Sequence, residues 1–257
     1  MNQAAPTPAK VWLVGAGPGD PELLTLRAAR LIGAARLIVH DGLVDPAILA
    51  LAHPEARLIS VAKARSRHTM SQTAINALLV REAQAGSEVV RLKGGDPLIF
   101  GRGGEEAEAC RDAGVPVEVV PGISAATGAA AAAQLPLTHR GSASIVTFVA
   151  GQCKGLSDQD WTGLAGRGRT LVIYMGLATA GRIAEKLMAD GLSPAMPVAV
   201  IENATRPAMR VLRAPLAGLA ALVTEGKVSS PALIVIGDVA AAPQTHELRA
   251  LALEALA

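Results

Sequence analysis

The chain has 257 residues, enough for one large or two modest domains with cores of their own. Hydrophobic residues make up 51% and charged residues 18%, a globular composition that excludes a disordered chain. Aromatics at 2% are too few for a base-stacking platform, and a net charge of +2 is too small to draw in nucleic acid or a membrane surface.

The opening MNQAAPTPAK has no apolar core, so residues 1–9 read as a short disordered lead-in and not as a signal peptide. Short apolar runs then alternate with helical spacing. VWLVG (11–15), RLIVHD (36–41), RLISVA (57–62), EVVRLKG (88–94) and VEVV (117–120) read as strands. PELLTLRAARLIGAA (21–35), DPAILALA (45–52), SQTAINALLVREAQAG (71–86) and GEEAEACRDAG (104–114) read as the helices between them. Ser71 can cap the third of these and Gly86 can close it. The alternation predicts βαβ units and a mostly parallel sheet. AATGAAAAAQLPL (125–137) is too short, too alanine-rich and too interrupted to span a bilayer.

The pattern restarts after PLTHRGS. SIVTFVA (144–150), TLVIYMG (170–176), PVAVIEN (197–203) and ALIVIGDV (232–239) predict strands, with helices over 179–191 and 215–226. MRVLRA (209–214) predicts an antiparallel strand. Pro136, His139, Arg140 and Gly141 interrupt the apolar pattern, so the expected division is an N-terminal domain over 10–140 and a C-terminal domain over 141–257. Cys110 and Cys153 lie far apart and form no paired motif, which fits a reducing, cytoplasmic setting. The five histidines include no H-E-x-x-H, and no metal site is expected.

Two loops attract chemistry. The first strand runs into GAGPGDP (15–21), and a glycine loop between strand and helix presents backbone N–H groups to a ligand. Asp41 ends the second strand where a ribose-binding acid would stand in a dinucleotide fold. The G-x-G-x-x-G pattern fails, however: Asp20 holds the sixth position and Pro18 stiffens the loop. A ligand loop and a plain tight turn both remain open on this motif. The second loop, VVRLKGGDPLIFGRGGEE (89–106), puts Gly94 and Gly95 at a strand end, the edge where parallel sheets bind ligands. Glu105 and Glu106 suit the following helix start through its dipole.

With VVPGISAA, PLTHR, YMG and PVAVIENATRP, these two loops lie in an order along residues 10–240 that resembles the tetrapyrrole methylase family, and within it the members that C-methylate uroporphyrinogen III. The resemblance implies two α/β domains with mostly parallel or mixed sheets and the active-site cleft between them. It implies methyl transfer from S-adenosyl-L-methionine to two pyrrole carbons, giving precorrin-2 by way of precorrin-1 and leaving S-adenosyl-L-homocysteine. That chemistry serves siroheme and cobalamin biosynthesis. A homodimer is implied. By match to the family motifs, Pro18, Gly94, Gly95, Asp96, Ile99, Ser124, Ala125, Met175 and Ala204 would line the donor site. Asp41 would be the proton acceptor and Lys63 the proton donor.

The acceptor would carry eight carboxylates and need a basic lining. AKARSRH (62–68) supplies Arg65, Arg67 and His68 beside Lys63, and arginine forks match carboxylates with two hydrogen bonds. Arg102, His139 and Arg140 are secondary candidates. Two departures stand out: Ala62-Lys63-Ala64 where relatives often read GKR, and Gly42 where they often carry Arg. Asp41 with Gly42 also reads as a simple turn.

Overall fold

The apolar runs of the first half build a five-stranded, fully parallel sheet. Its strands are β1 (Val11–Gly15), β2 (Leu37–His40), β3 (Arg57–Ser60), β4 (Val89–Lys93) and β5 (Val117–Val120). They lie in the order β3-β2-β4-β1-β5. These are coordinates of a computed structural model, which describes residues 8–62, 70–152, 160–164 and 166–241. Two units make up the chain: Met1–Ala132 with Asn203–Met209, and Ala133–Glu202 with Arg210–Ala257.

Five helices accompany the first sheet: α1 (Leu26–Ala34), α2 (Pro46–Leu49), α3 (Gln72–Gln84), α4 (Gly103–Asp112) and α5 (Ala125–Ala132). Alternate side chains of each strand go to opposite faces. Leu13 and Val39 pack with Leu79 of α3 and Ala107 of α4. Val14, Ile38 and Leu92 pack with Ile32 of α1 and Ile48 of α2. Cover on both faces is why these strands read as near-continuous apolar runs. Ser71 caps α3 by accepting from the Ala74 amide, and Gly86 follows it at φ 90°, as the spacing predicts.

The helix expected over 21–35 is broken in two. Pro21–Leu23 forms a single 3-10 turn, and Thr25 is extended with its hydroxyl accepting from the Ala28 amide at 3.1 Å. That N-cap starts α1 afresh, because a capping threonine satisfies a helix-end donor only from non-helical backbone. The alanine-rich run yields α5, whose Gly128 lets it approach Pro18. A Cβ added there would lie 2.5 Å from the proline ring.

In the second unit the strands are β6 (Ala143–Ala150), β7 (Gly168–Tyr174), β8 (Pro197–Glu202), β9 (Arg210–Pro215) and β10 (Ala232–Ile236). Their order is β6-β7-β10-β8-β9, with β6 and β7 parallel and every other pair antiparallel. The antiparallel β9 is as expected. Helices α6 (Ala180–Ala189) and α7 (Leu219–Glu225) bury Ile183, Leu187 and Leu219 against Leu171, Ile173, Val200 and Ile234. Among the described residues no helix is long and apolar enough to cross a membrane.

A buried acid closes the β8–β9 pair. Glu202, opposite Arg210 in register, accepts from the Ser229 amide at 2.8 Å, the Ser229 hydroxyl at 2.6 Å and Arg210 Nε at 2.5 Å. Burial pushes its carboxyl up, but the bonds from Ser229 and Arg210 outweigh burial and hold it below the usual carboxylate range. The stability it contributes is therefore full above pH 4.5, its ordinary value, and is lost as the pH falls through the depressed folded value. Thermal melts should show Glu202→Gln less stable than the parent at neutral pH. That gap should shrink as the pH is lowered from about 5 to about 3; a gap that stays constant would remove the carboxylate from this account.

Candidate active site

Parallel strands all end at one edge, so the loops after β2, β4, β1 and β5 emerge side by side. The edge is closed by backbone meeting backbone. Gly17 and Gly95 exchange two hydrogen bonds, at 3.1 and 2.7 Å. A Cβ at Gly15 would lie 2.5 Å from the Gly122 nitrogen, and one at Gly122 would lie 2.4 Å from the Gly95 carbonyl oxygen. No side chain fits there. Asp96 locks the same tips: its carboxylate accepts from the Leu98 amide at 2.8 Å and the Gly122 amide at 3.1 Å. Most glycines of the two sequence loops thus answer to other parts of the protein.

Gly95 differs. It needs glycine for its φ of 71°, but a Cβ there would meet only the Ala125 nitrogen, at 3.5 Å. One side of Gly95 therefore faces open space beside the start of α5. Ser124 caps that helix, its hydroxyl accepting from the Thr127 amide at 3.3 Å. Gly94 is crowded by Leu43, whose Cβ would lie 2.7 Å from an added Cβ. Beyond Pro97 the loop exposes Leu98, Ile99 and Phe100. Phe100 and Arg102 take left-handed backbone at φ 51° and 58°, a strained state that clusters at functional loops.

Asp41 follows β2, next to β4. Its Oδ1 accepts from the Leu43 amide at 3.0 Å, the local bond of the turn that Asp41-Gly42 predicts. Among the described residues no donor reaches Oδ2. Gly42 is exposed, and a Cβ there would sit 3.0 Å from Ala62 Cβ. Gly42 and Ala62, one from each departure, are therefore neighbours. Lys63, Arg65, Arg67 and His68 lie outside the described residues.

The first unit therefore brings Asp41, Pro18, Gly94, Gly95, Asp96, Ile99, Ser124 and Ala125 to one sheet edge. Ala204 belongs to the segment Asn203–Met209 of the same unit. Met175 belongs to the second unit, at the tip of β7, half exposed and left-handed at φ 55°. Arg102 is held by Glu105 through two contacts, at 2.7 and 2.6 Å. His139 and Arg140 are exposed in the second unit. No group of three or more potential metal ligands occurs among the described residues.

A family model for tetrapyrrole (corrin/porphyrin) methylases matches residues 10–220. The chain belongs to the tetrapyrrole methylase family. It is 52% identical over 233 residues to the S-adenosyl-L-methionine-dependent uroporphyrinogen III methyltransferase of Methanosarcina barkeri, covering 90% of this chain and 91% of that one. It is 50% identical over 237 residues to a siroheme synthase of Gluconacetobacter diazotrophicus, covering 91% of this chain and 50% of that one. The chain spans about half the length of the siroheme synthases it matches. A solved uroporphyrin-III C-methyl transferase of Thermus thermophilus, complexed with S-adenyl homocysteine, superposes with a TM-score of 0.76 at 43% identity, over 90% of this chain and 93% of that one.

Beneath the glycine edge this methylase buries three charges, Arg91, Lys93 and Glu106, a cluster that sequence spacing did not reveal. Arg91 and Lys93 alternate on β4, so both point to the α3–α4 face. Glu106 Oε1 accepts from Arg91 Nε at 3.1 Å, Lys93 Nζ at 3.0 Å and Gln72 Nε2 at 3.2 Å, while Oε2 has no partner among the described residues. Glu105 and Glu106 both lie in the first turn of α4, as expected, but Glu106 is fully buried whereas Glu105 is exposed. Burial pulls the Lys93 ammonium below its ordinary range; Arg91 adds to this and Glu106 opposes it. Two bases at i and i+2 inside an apolar strand were the available signal. The cluster joins the last residue of β4 to the first turn of α4, and so pins both ends of loop 94–102.

Removing the acid leaves two buried cations without a counter-charge. Glu106→Ala should cost about 3–5 kcal/mol in chemical denaturation. The exposed control Glu105→Ala should cost about 1 kcal/mol or less. Equal costs would show that the buried cluster is not a stabilising clamp.

Proposed function

We propose that the chain is an S-adenosyl-L-methionine-dependent methyltransferase that C-methylates uroporphyrinogen III at two pyrrole carbons to give precorrin-2 through precorrin-1. The observation that carries this reading is the interlocked glycine edge, in a chain matched along nine-tenths of its length by a relative whose name states that activity. Siroheme synthases among the relatives support a place in siroheme- or cobalamin-type biosynthesis. The same reading takes the enzyme to be a cytoplasmic homodimer.

The residues present fit the donor. The open side of Gly95 offers room beside backbone groups, and the exposed Ile99 offers an apolar surface of the kind a nucleoside ring covers. Pro18, Gly94, Asp96, Ser124, Ala125 and Ala204 shape or border that edge in our assignment. Met175 is the second unit's candidate. Bound there, the donor supplies an electrophilic methyl on a sulfonium whose leaving group is a neutral thioether. The chain need not protonate that group. Its task is to align donor and acceptor and exclude water. Attack by carbon leaves the pyrrole cationic, and loss of the ring N–H proton restores neutrality. Asp41 takes that proton in our reading, through the oxygen that the Leu43 amide does not hold. Lys63 is assigned the proton-donor role. Arg65, Arg67 and His68 are assigned to the acceptor's carboxylates.

Incubation with uroporphyrinogen III and S-adenosyl-L-methionine, with products resolved by mass, tests the reaction. Asp41→Asn should bind S-adenosyl-L-homocysteine within about threefold of the parent and methylate about a hundredfold more slowly. Unchanged turnover would take Asp41 out of the mechanism. Gly95→Val should weaken S-adenosyl-L-homocysteine binding at least about a hundredfold, because the side chain fills the open side of the glycine. Gly86→Val imposes comparable left-handed strain at φ 90° with nothing within 4 Å, and its folded fraction should bind normally. Equal losses in both variants would assign the effect to backbone strain alone.

A further inference from the structure

The segment Asn203–Met209 of the ENATRP motif holds a strained turn, with Asn203 at φ 49° and Thr205 at φ 64°. Such conformations persist where surrounding contacts over-determine them. Here the contacts converge on the loops of the candidate site. Thr205 Oγ1 accepts from the Asp20 amide at 3.2 Å. Arg206 Nη2 donates to the Leu43 carbonyl at 2.6 Å, and its Nε stands 3.4 Å from Asp45 Oδ2. Its stem lies over Gly19, where an added Cβ would come within 2.9 Å of Arg206 Cγ. The Arg206 side chain is only 19% exposed.

Leu43 is thereby fixed on three sides. Its amide goes to Asp41, its carbonyl to Arg206, and its Cβ packs on Gly94. We infer that Arg206 is a positioning residue for Asp41, acting through the Leu43 peptide. An arginine suits the place because one planar group reaches a carbonyl and a carboxylate in different directions, which a lysine ammonium does not reproduce. The inference rests on the reading of Asp41 as proton acceptor.

The test is a double-mutant cycle on methylation of uroporphyrinogen III, with thermal melts to confirm folding. Arg206→Met keeps the stem over Gly19 and should lower kcat about tenfold or more. Arg206→Lys should recover part of that loss. In the Asp41→Asn background Arg206→Met should cost less than about twofold, since the group it positions is gone. Fully additive losses would overturn the inference while leaving Asp41 in place. A normal rate in Asp41→Asn alone would overturn both. If Arg206→Met does not fold, the same cycle run with Arg206→Lys decides between coupling and additivity.

Discussion

Neighbouring strand tips of the first sheet touch through bare backbone at Gly15, Gly95 and Gly122, and the candidate site hangs on that contact. A would-be Cβ at Gly15 or Gly122 lands 2.4 to 2.9 Å from main-chain atoms of another tip, whereas one at Gly95 meets only the Ala125 nitrogen, at 3.5 Å. Side chains would push the tips apart by more than a close-packed interior tolerates. With the tips in contact, one carboxylate, Asp96, reaches amides on two of them. The start of α5 comes to face the open side of Gly95. A rigid rim with one free face suits a reaction in which alignment does most of the work.

Charge is arranged in relation to that rim. Arg91, Lys93 and Glu106 sit under it with one acid between two bases, in a region where water screens little. Lys93 is close enough to Asp41 for the two to feel each other's charge. The clamp at the root of loop 94–102 and the acid at the tip of β2 are thus linked electrostatically as well as through Leu43. On the exposed side the loop offers Leu98, Ile99 and Phe100, so the apolar surface faces out and the ionic support faces in. This inverts the usual layering, in which apolar side chains lie inside.

Much of the edge was legible in the residues. The paired glycines after VVRLK and VWLV mark strand ends because glycine is the residue that permits close backbone approach and positive φ. Glu106 was not legible as a buried acid. A glutamate in a helix's first turn has an ordinary explanation in the dipole, and only the packing of α4 on β4 shows which of two adjacent glutamates turns inward. Arg206 was equally silent, since its partners Leu43 and Asp45 lie some 160 residues away in the chain.

The sequence by itself determined the order of the strands, the mostly parallel character of the first sheet, the antiparallel β9 and the family to which the loops belong. These follow from hydrophobic period, turn residues and motif identity, all of which are local. Tertiary structure decided what each glycine faces, the place of β10 between β7 and β8, the break before α1, and the packing of Asn203–Met209 with the first unit. Those features arise from contacts between residues far apart in the chain, and local preference carries no information about which distant partner a residue will meet.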